Sequence, residues 1–366
     1  MKKSTVILLS SAIALIVIGA LIAFGAMMIL SPDFNFENAG DFKMNKRTVV
    51  IQEEFKRLKV SESFSDIELL RSQDNECKIE FTEPEKVTHT VSVDKNGLLS
   101  VKIVDERKWY DNIGIGFSES KVKIYLPEKQ FESLDIDSAS GDAMIAKEIE
   151  FININVKTAS GDITLDSDCK AGYSKSTGLS TASGDITVNG LYNGSLFVKT
   201  ASGDIKLNNV CLGGDIEAEG LSNEGNSDTI ALFVETASGS IKCNKLCGGK
   251  LSFQSASGDI ELLNVRSRGR IEINTASGDI GGNGVVALDY IDVSTTSGDI
   301  SIKRLDVLNN GIGLETTSGN VYAELLSEKT VIAKSTSGDI DIPDHVQSSC
   351  FCRVETTSGD IEIEMP

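Results

Sequence analysis

The chain has 366 residues, of which 40% are hydrophobic and 24% are charged, and its formal net charge at pH 7 is -19. That length is sufficient for a large buried core and for more than one domain. Residues 41–130 carry 16 Lys and Arg against 17 Asp and Glu, whereas residues 131–366 carry 17 against 35, a net of 17 − 35 = -18. A phosphate-binding surface is basic, so this balance argues against nucleic acid as a partner and favours a solubilising acidic surface.

The N-terminus predicts a membrane anchor. No charged residue occurs from Ser4 to Leu30, and these 27 residues exceed both the ~20 needed to span a bilayer and the apolar core of a signal peptide. We predict a cytoplasmic tail at 1–3, a transmembrane signal-anchor helix at 4–30 and a linker at 31–47. Lys2 and Lys3 favour an N-terminus in the cytoplasm and an extracytoplasmic C-terminal region, although Arg47 weakens the charge asymmetry. Cleavage near Ala23 is the alternative.

Residues 48–130 predict an N-terminal β region. Segments such as RLKVSES, CKIEFTE, VTHTVSVD and KVKIYLP alternate apolar and polar residues, as half-buried strands do. Asn96-Gly97 between two such segments predicts a hairpin turn. Trp109 is the single tryptophan, and we expect it to pack back onto the sheet.

A repeated Ser-Gly motif dominates residues 131–366. Its serine recurs at spacings of 20, 23, 19, 36, 19, 20, 20, 21, 19 and 21 residues, and nine of eleven copies read Ser-Gly-Asp. Periods of this size indicate a solenoid, and we interpret the gap of 36 as two coils with a degraded corner near Gly220 to Gly225. The motif glycines are Gly141, Gly161, Gly184, Gly203, Gly239, Gly258, Gly278, Gly298, Gly319, Gly338 and Gly359.

Apolar residues stand at alternate positions on both sides of each motif, for example at Ile271 and Ile273 before it and at Ile280 after it. This period of two is that of strands. The fold class is therefore all-β: a β-solenoid of about 20-residue coils, resembling a single-stranded β-helix. Eleven or twelve coils stacked ~4.8 Å apart would form a rod roughly 55 Å long, stabilised by contacts between neighbouring coils.

The motif itself predicts a structural corner. We expect glycine to supply unusual backbone angles in a tight turn, and serine and aspartate to bond nearby backbone groups. A catalytic serine is needed once, whereas this one recurs eleven times. A calcium-binding ladder is the alternative for the aspartate column, because stacked carboxylates attract divalent cations. That column contains Asp162, Asp185, Asp204, Asp259, Asp279, Asp299, Asp339 and Asp360.

Seven cysteines and two histidines complete the chemically reactive residues. An odd cysteine number leaves at least one free thiol, and the cysteine spacings do not match zinc sites. Cys243 and Cys352 occupy positions of the repeat that are predicted to point inward. Cys169, Cys211 and Cys247 share another position of the repeat, and the pairing of the cysteines stays open. His89 and His345 lie in different regions, and neither has the surroundings of a catalytic triad. We predict no enzyme activity, catalytic residue or cofactor.

The order of these parts resembles the bacterial DUF4097 family, whose members are also called putative adhesins. The resemblance covers about residues 48–366 and rests on VKIYLPEKQFESLDIDSASGD followed by TASGDI and TTSGDI units. It implies a β-solenoid at the bacterial cell surface or membrane, and some members of the family are linked to cell-envelope stress. The family has no established catalytic residues to carry over.

Our leading hypothesis is a non-enzymatic, membrane-anchored cell-surface solenoid that acts in adhesion or in envelope interaction and stress response, with an envelope protein or glycan as partner. One alternative is a β-helix that binds or acts on polysaccharide. Another is a self-associating membrane-tethered scaffold. Its motivation is the last coil, TTSGDIEIEMP, which ends the chain without an obvious cap and would expose strand edges.

Overall fold

The structure is a computed structural model that describes residues 43–107, 120–168, 176–192, 194–212, 231–344 and 346–366. Every regular element in these ranges is a β-strand, and none is a helix able to cross a membrane. The predicted tail, the anchor at 4–30 and most of the linker lie outside the described residues, as do Trp109, Cys169, His345 and the corner expected near Gly220.

Twenty-nine strands form the described chain. The first eleven are β1 (Met44–Ile51), β2 (Arg57–Ser61), β3 (Asp66–Arg71), β4 (Cys77–Pro84), β5 (Val87–Val93), β6 (Leu98–Asp105), β7 (Lys121–Leu126), β8 (Gln130–Ser138), β9 (Ala143–Ile145), β10 (Glu150–Thr158) and β11 (Ile163–Asp168). The next nine are β12 (Ser176–Ser180), β13 (Ile186–Tyr192), β14 (Ser195–Lys199), β15 (Ile205–Leu212), β16 (Ala231–Thr236), β17 (Ile241–Gly248), β18 (Lys250–Ser255), β19 (Ile260–Ser267) and β20 (Arg270–Thr275). The last nine are β21 (Ile280–Ala287), β22 (Tyr290–Ser294), β23 (Ile300–Val307), β24 (Gly311–Glu315), β25 (Val321–Leu325), β26 (Thr330–Ser337), β27 (Ile340–Asp341), β28 (Phe351–Ser358) and β29 (Ile361–Glu364).

The strands form two long sheets, which we call sheet A and sheet B. Sheet A has 15 strands in the order β1-β4-β7-β3-β9-β11-β13-β15-β17-β19-β21-β23-β25-β29-β27. Sheet B has 14 strands in the order β26-β28-β24-β22-β20-β18-β16-β14-β12-β10-β8-β2-β6-β5. Within the repeats each coil gives one parallel strand to each sheet, so the predicted all-β solenoid is confirmed. At ~4.8 Å per strand, fifteen strands extend over about 70 Å.

One hydrophobic core runs between the sheets from Phe55 to Ile363. The apolar positions of the repeat that were predicted to point inward do so, because alternate residues of a strand face opposite sides of its sheet. Val156, Ile205 and Ile273, from three coils, are each fully buried. Apolar burial of this kind stabilises by about 25 cal/mol per Å² of surface removed from water, so the stack is held mainly by contacts between coils.

The N-terminal β region continues the same two sheets. β3 pairs in parallel with β9, and β2 pairs in parallel with β8. Beyond these strands the pattern becomes antiparallel, with β4 between β1 and β7 in sheet A and β5 on β6 in sheet B. Because that core is continuous with the solenoid core, the sheets cross the predicted boundary at 130/131 without interruption.

The gap of 36 residues is one coil with an insertion, which corrects the interpretation as two coils. β14 pairs directly with β16, and β15 pairs directly with β17, so the sheets have no place for an extra coil between them. Residues 213–230, which include Gly220 and Gly225, lie between β15 and β16 in the sequence and outside the described residues. The Ser-Gly-Asp signal that marks a corner is absent from their sequence.

The stacking order at the C-terminus differs from the chain order. β28 lies between β24 and β26 in sheet B, and β29 lies between β25 and β27 in sheet A. The last coil, which we expected to be the open end, is therefore an inner coil, and Ile361 and Ile363 are buried. The open end is the coil formed by residues 330–342, which precedes the last coil in the sequence but lies beyond it in the stack. After β25 the chain passes over one level of the stack to form this coil.

Candidate functional site

The eleven motif glycines lie at the corners between sheet B and sheet A, where successive backbones stack very closely. A Cβ placed on any of them would lie 1.8–2.2 Å from a backbone carbonyl oxygen of the neighbouring coil. Only Gly338 and Gly359 among them have positive φ. Glycine is therefore needed here for close approach, and the expected explanation by unusual backbone angles is wrong for most of the column.

From Thr181 onward, the Thr or Ser three residues before a motif glycine ties two coils together. The hydroxyl of Thr181 donates to the carbonyl of Gly161 in the preceding coil at 3.1 Å and accepts the N–H of Gly184 in its own coil at 3.1 Å. Thr200 does the same with Gly184 and Gly203. Thr236 and Ser255 make the same two bonds, so one hydroxyl satisfies two buried backbone groups at these corners, which explains why the position favours a hydroxyl.

The aspartates form a second ladder beside the first. Oδ1 of Asp162 accepts the backbone N–H of Asp185 at 2.7 Å, and Oδ1 of Asp185 accepts that of Asp204 at 2.8 Å. Asn320, at the same place, uses its amide oxygen to accept the N–H of Asp360 at 2.9 Å. The ladder begins at Asp66, whose carboxylate accepts the N–H of Asp142 at 3.2 Å, so the first corner is Glu62 to Asp66.

This bonding gives the whole Ser-Gly-Asp column a structural role. A neutral amide serves as well as a carboxylate at one step, which indicates that the acceptor oxygen matters more than the charge. In the described part of the chain, no three His, Cys, Asp or Glu side chains converge as a metal-ligand set. The calcium ladder therefore stays an untested alternative, and its carboxylates are distributed one per coil.

His89 stands at the centre of a buried polar network near the N-terminal end. Its Nδ1 contacts Oε1 of Glu83 at 2.7 Å, and its Nε2 hydrogen-bonds Oε1 of Glu62. Arg47 donates to Glu83 at 3.0 Å and to the His89 carbonyl at 2.8 Å, and its guanidinium lies over the ring of Phe81. Each polar group here is partnered within the protein, as a structural network requires.

The charges of this network shift two pKa values. Burial by itself lowers the pKa of His89, but the hydrogen bonds and negative charges of Glu62 and Glu83 outweigh it and raise the pKa above its ordinary value. Burial similarly raises the pKa of Glu83, yet Arg47 and His89 lower it overall. The geometry therefore favours a charged His89 between two carboxylates, enclosed by protein.

One pair of cysteines is cross-linked. Cys211 in β15 and Cys247 in β17 are opposite one another in neighbouring coils and form a disulfide with Cα atoms 4.6 Å apart. The free cysteines of the described ranges, Cys77, Cys243, Cys350 and Cys352, are all buried. Burial raises the pKa of Cys77 to about 12, so this thiol stays protonated and unreactive.

The outer face of sheet B carries an aromatic pair that the sequence analysis did not identify. Phe197 in β14 and Phe233 in β16 are in register, 45% and 41% exposed, and their rings stack with centroids 5.9 Å apart at an angle of 8°. Two large exposed rings in contact are unusual for a surface that has no ligand. Because β14 and β16 pair directly, the insertion at 213–230 separates the two phenylalanines in sequence and conceals their contact.

These rings border a groove of about 380 Å³. Next to Phe197 in the same row lies Gly178, and beyond Gly178 lies Asn155. A Cβ on Gly178 would meet only Oδ1 of Asn155, at 3.8 Å, so the glycine leaves a gap one strand wide. The rings stack along the row, and the other face of Phe197 therefore borders this gap. We name it the Phe197 groove; its lining is Asn155, Lys157, Gly178, Leu179, Ser180, Phe197, Val198, Lys199, Phe233, Val234, Glu235 and Gln254.

Polar groups surround the aromatic part of the groove. Lys157, Ser180, Lys199, Glu235 and Gln254 form the next row along the strands, and Nζ of Lys199 pairs with Glu235 at 2.8 Å. An apolar surface with a few convergent polar groups is the usual composition of a ligand site. The strands beneath are held in register by the core, so the groove is built on a rigid support.

The family model for DUF4097, described as Toastrack, matches residues 55–242 and 212–364. The chain belongs to the DUF4097 family. No curated protein matches it.

Several solved structures are similar to this DUF4097 chain. One is a putative adhesin from Bacteroides fragilis, with 14% identity and a TM-score of 0.34 over 88% of this chain and 97% of that one. A putative adhesin from Parabacteroides distasonis has 13% identity and a TM-score of 0.33 over 88% and 98%. A putative lipid binding protein from the same species has 13% identity and a TM-score of 0.27 over the same shares.

Proposed function

We propose that this DUF4097 chain is a non-enzymatic cell-surface solenoid that binds a glycan of the cell envelope in the Phe197 groove. The observation that carries the proposal is the exposed Phe197–Phe233 stack beside the gap over Gly178. Similar solved proteins described as putative adhesins support a surface role.

A sugar ring fits the chemistry of the groove. Its apolar face can lie against the free face of Phe197, while the Asn155 amide, the Ser180 hydroxyl and Lys157 offer hydrogen bonds to its hydroxyl groups. The enzymatic version of the polysaccharide hypothesis gains no support here, because the groove lining has one carboxylate, Glu235, which is paired with Lys199.

Two further observations support the proposed location. The uncharged segment at 4–30 is long enough to anchor the chain in a membrane, with the solenoid on the outer side. The Cys211–Cys247 disulfide supports that side, because disulfides persist in oxidising compartments. The chain would then hold its binding groove outside the cell on a rigid, anchored rod.

The groove is tested with the full chain purified in detergent and insoluble cell-wall polysaccharide. We expect the double variant F197S/F233S to bind at least about tenfold more weakly in pull-down titrations, since loss of a central aromatic anchor typically costs more than ~1.4 kcal/mol. L308S is the matched control, because Leu308 is 48% exposed and lies outside the groove. Equal binding by wild type and F197S/F233S would refute the groove as the glycan site.

The proposed location is tested with intact protoplasts that express the chain with a C-terminal tag. We expect added protease to remove the tag while a cytoplasmic marker survives, because the solenoid lies outside the membrane. Protection of the tag until the cells are lysed would contradict the surface role, and the disulfide would then need another explanation.

A further inference from the structure

The coil at 330–342 leaves both sheets open at one end of the rod. β26 is the last strand of sheet B and β27 is the last strand of sheet A. Among the strands that the structure describes, β26 pairs only with β28 and β27 only with β29. Unpaired strand edges of this kind present free backbone donors and acceptors that can pair with another chain.

The hydrophobic core is also open at this end. Ile340 is 43% exposed and Ile342 is 37% exposed, whereas Ile361 and Ile363, their counterparts in the adjacent coil, are 1% and 4% exposed. On the outer face of β26, Ile332 is 49% exposed. We call the open core end with Ile340 and Ile342, together with the β26 edge that carries Ile332, the terminal patch; exposed apolar surface of this kind usually marks an interaction surface.

The opposite end of the rod is built differently. There the parallel coils give way to the antiparallel strands β1 and β4 in sheet A and β5 and β6 in sheet B. β1 also carries Lys46 and Arg47, and charged residues on an edge discourage pairing with another strand. The terminal patch therefore distinguishes one end of the molecule from the other.

We propose that two copies of this chain associate tail to tail through the terminal patch. A single strand from another protein would cover one sheet edge and leave the other edge and the core open. A second copy of the same end offers the same edge and the same open core, so a two-fold axis normal to the sheets pairs the two β26 strands antiparallel and sets one open core end against the other. A register centred on Ile332 brings the two copies of that residue together and sets Val331 opposite Ala333 across the axis.

The net charge determines how this association depends on salt. Each copy carries a formal charge of -19, and Asp339 and Asp341 lie in the terminal coil itself. The two copies repel one another through these charges, while burial of the isoleucines is not weakened by salt. Association should therefore strengthen as the ionic strength rises, which is opposite to the behaviour of a pairing held by salt bridges.

Cysteine cross-linking of the full chain in native membranes tests the geometry. We expect I332C to give a disulfide-linked dimer under a mild oxidant, because the two-fold axis brings its copies together. V50C is the matched control, since Val50 is 50% exposed on β1 at the other end and should remain monomeric. The free native cysteines of the described chain are buried, and the wild-type chain gives the background for the remaining thiol.

Sedimentation equilibrium of the purified full chain in detergent tests the energetics. We expect I332K/I340K to raise the dimer dissociation constant at least about tenfold, since it places charge in a desolvated apolar contact. V50K should leave that constant unchanged, and similar melting temperatures would show that both variants fold. A wild-type chain that stays monomeric at every protein and salt concentration, or a cross-link by V50C in place of I332C, would overturn the proposal.

Because Ile332 and Ile340 do not line the Phe197 groove, unchanged glycan binding by I332K/I340K separates this result from the proposed function.

Discussion

Gly258 illustrates how a single residue type is imposed by the stacking of coils. A Cβ at this position would lie 1.8 Å from the carbonyl oxygen of Gly239 and 2.4 Å from its carbonyl carbon. Both atoms belong to backbone, so no side chain can move aside to make room. The same contact recurs at each corner, and the sequence repeats glycine for that reason.

We expect G258A to lower the free energy of unfolding by at least about 3 kcal/mol, because neighbouring backbones must separate. The matched control is G281A in β21, where an added Cβ meets nothing within 4 Å. That change should alter stability by less than about 0.5 kcal/mol. Urea unfolding of the full chain in detergent measures both, and equal effects of the two substitutions would contradict the close-approach explanation.

For single residues, the sequence predicted where the corners lie better than it explained why those residues are needed. Eleven repeats of Ser-Gly predicted corners, and the corners are there. The sequence did not reveal which oxygen receives each hydrogen bond, since Thr181 reaches Gly161 only because the coils stack in register. The first corner also escaped notice, because Ser65-Asp66 replaces the usual Gly-Asp pair there.

The His89 network acts between elements. It links Glu62, just after β2, with Glu83 in β4 and with His89 itself in β5. Since β4 belongs to sheet A and β5 to sheet B, the network joins the two sheets close to the end of the rod. Neither the pair of glutamates nor Arg47 could be assigned to it from the sequence, because the four residues come from separate segments.

The shifted pKa values predict a defined dependence of stability on pH. Because the pKa of His89 is raised, its contribution to the free energy of unfolding is fully present below pH 6.5, its ordinary pKa. That contribution is lost as the pH rises through the raised pKa. A lowered pKa of Glu83 means that its contribution is present above the ordinary value of 4.5 and is lost as the pH falls through the lowered value. The contribution of this network to the free energy of unfolding should therefore be greatest between pH 4.5 and pH 6.5.

Unfolding free energies of the full chain across this pH range measure the effect. H89Q should remove the loss on the alkaline side, because it replaces the titrating ring with a neutral side chain. The imidazole signals of His89 in an NMR titration give an independent reading. A midpoint for His89 below 6.5 would contradict the expected sign.

Other element-level features depend on packing as well. Asn209, Lys245, Asn264 and Arg304 have positive φ and lie within β15, β17, β19 and β23, where they bend each strand of sheet A at the same level. Asparagine tolerates that backbone, but lysine and arginine give no such signal in the sequence. The alternation of apolar residues predicted the strands, and their bend became visible only when the coils were stacked.

For the whole molecule, the parallel stack predicts stability that is a sum of contacts between neighbours. After β25 the chain skips one level of the stack and later returns to it with β28 and β29. The stacking order at the C-terminus therefore differs from that in the middle of the rod. The buried ion pair of Lys329 with Asp306, at 2.7 Å, holds the connection that skips the level. This topology moves the exposed edge from the chain end to residues 330–342.

The sequence by itself determined the uncharged N-terminal segment, the family, the strand period and the corners that carry Ser-Gly. These are local properties, since most coils repeat the same alternation and the same contacts at the corner. Tertiary structure alone decided the order of the last coils, the terminal patch and the meeting of Phe197 with Phe233. The physical reason is that coils with nearly identical edges can stack on one another in more than one order, and only their combined packing selects one.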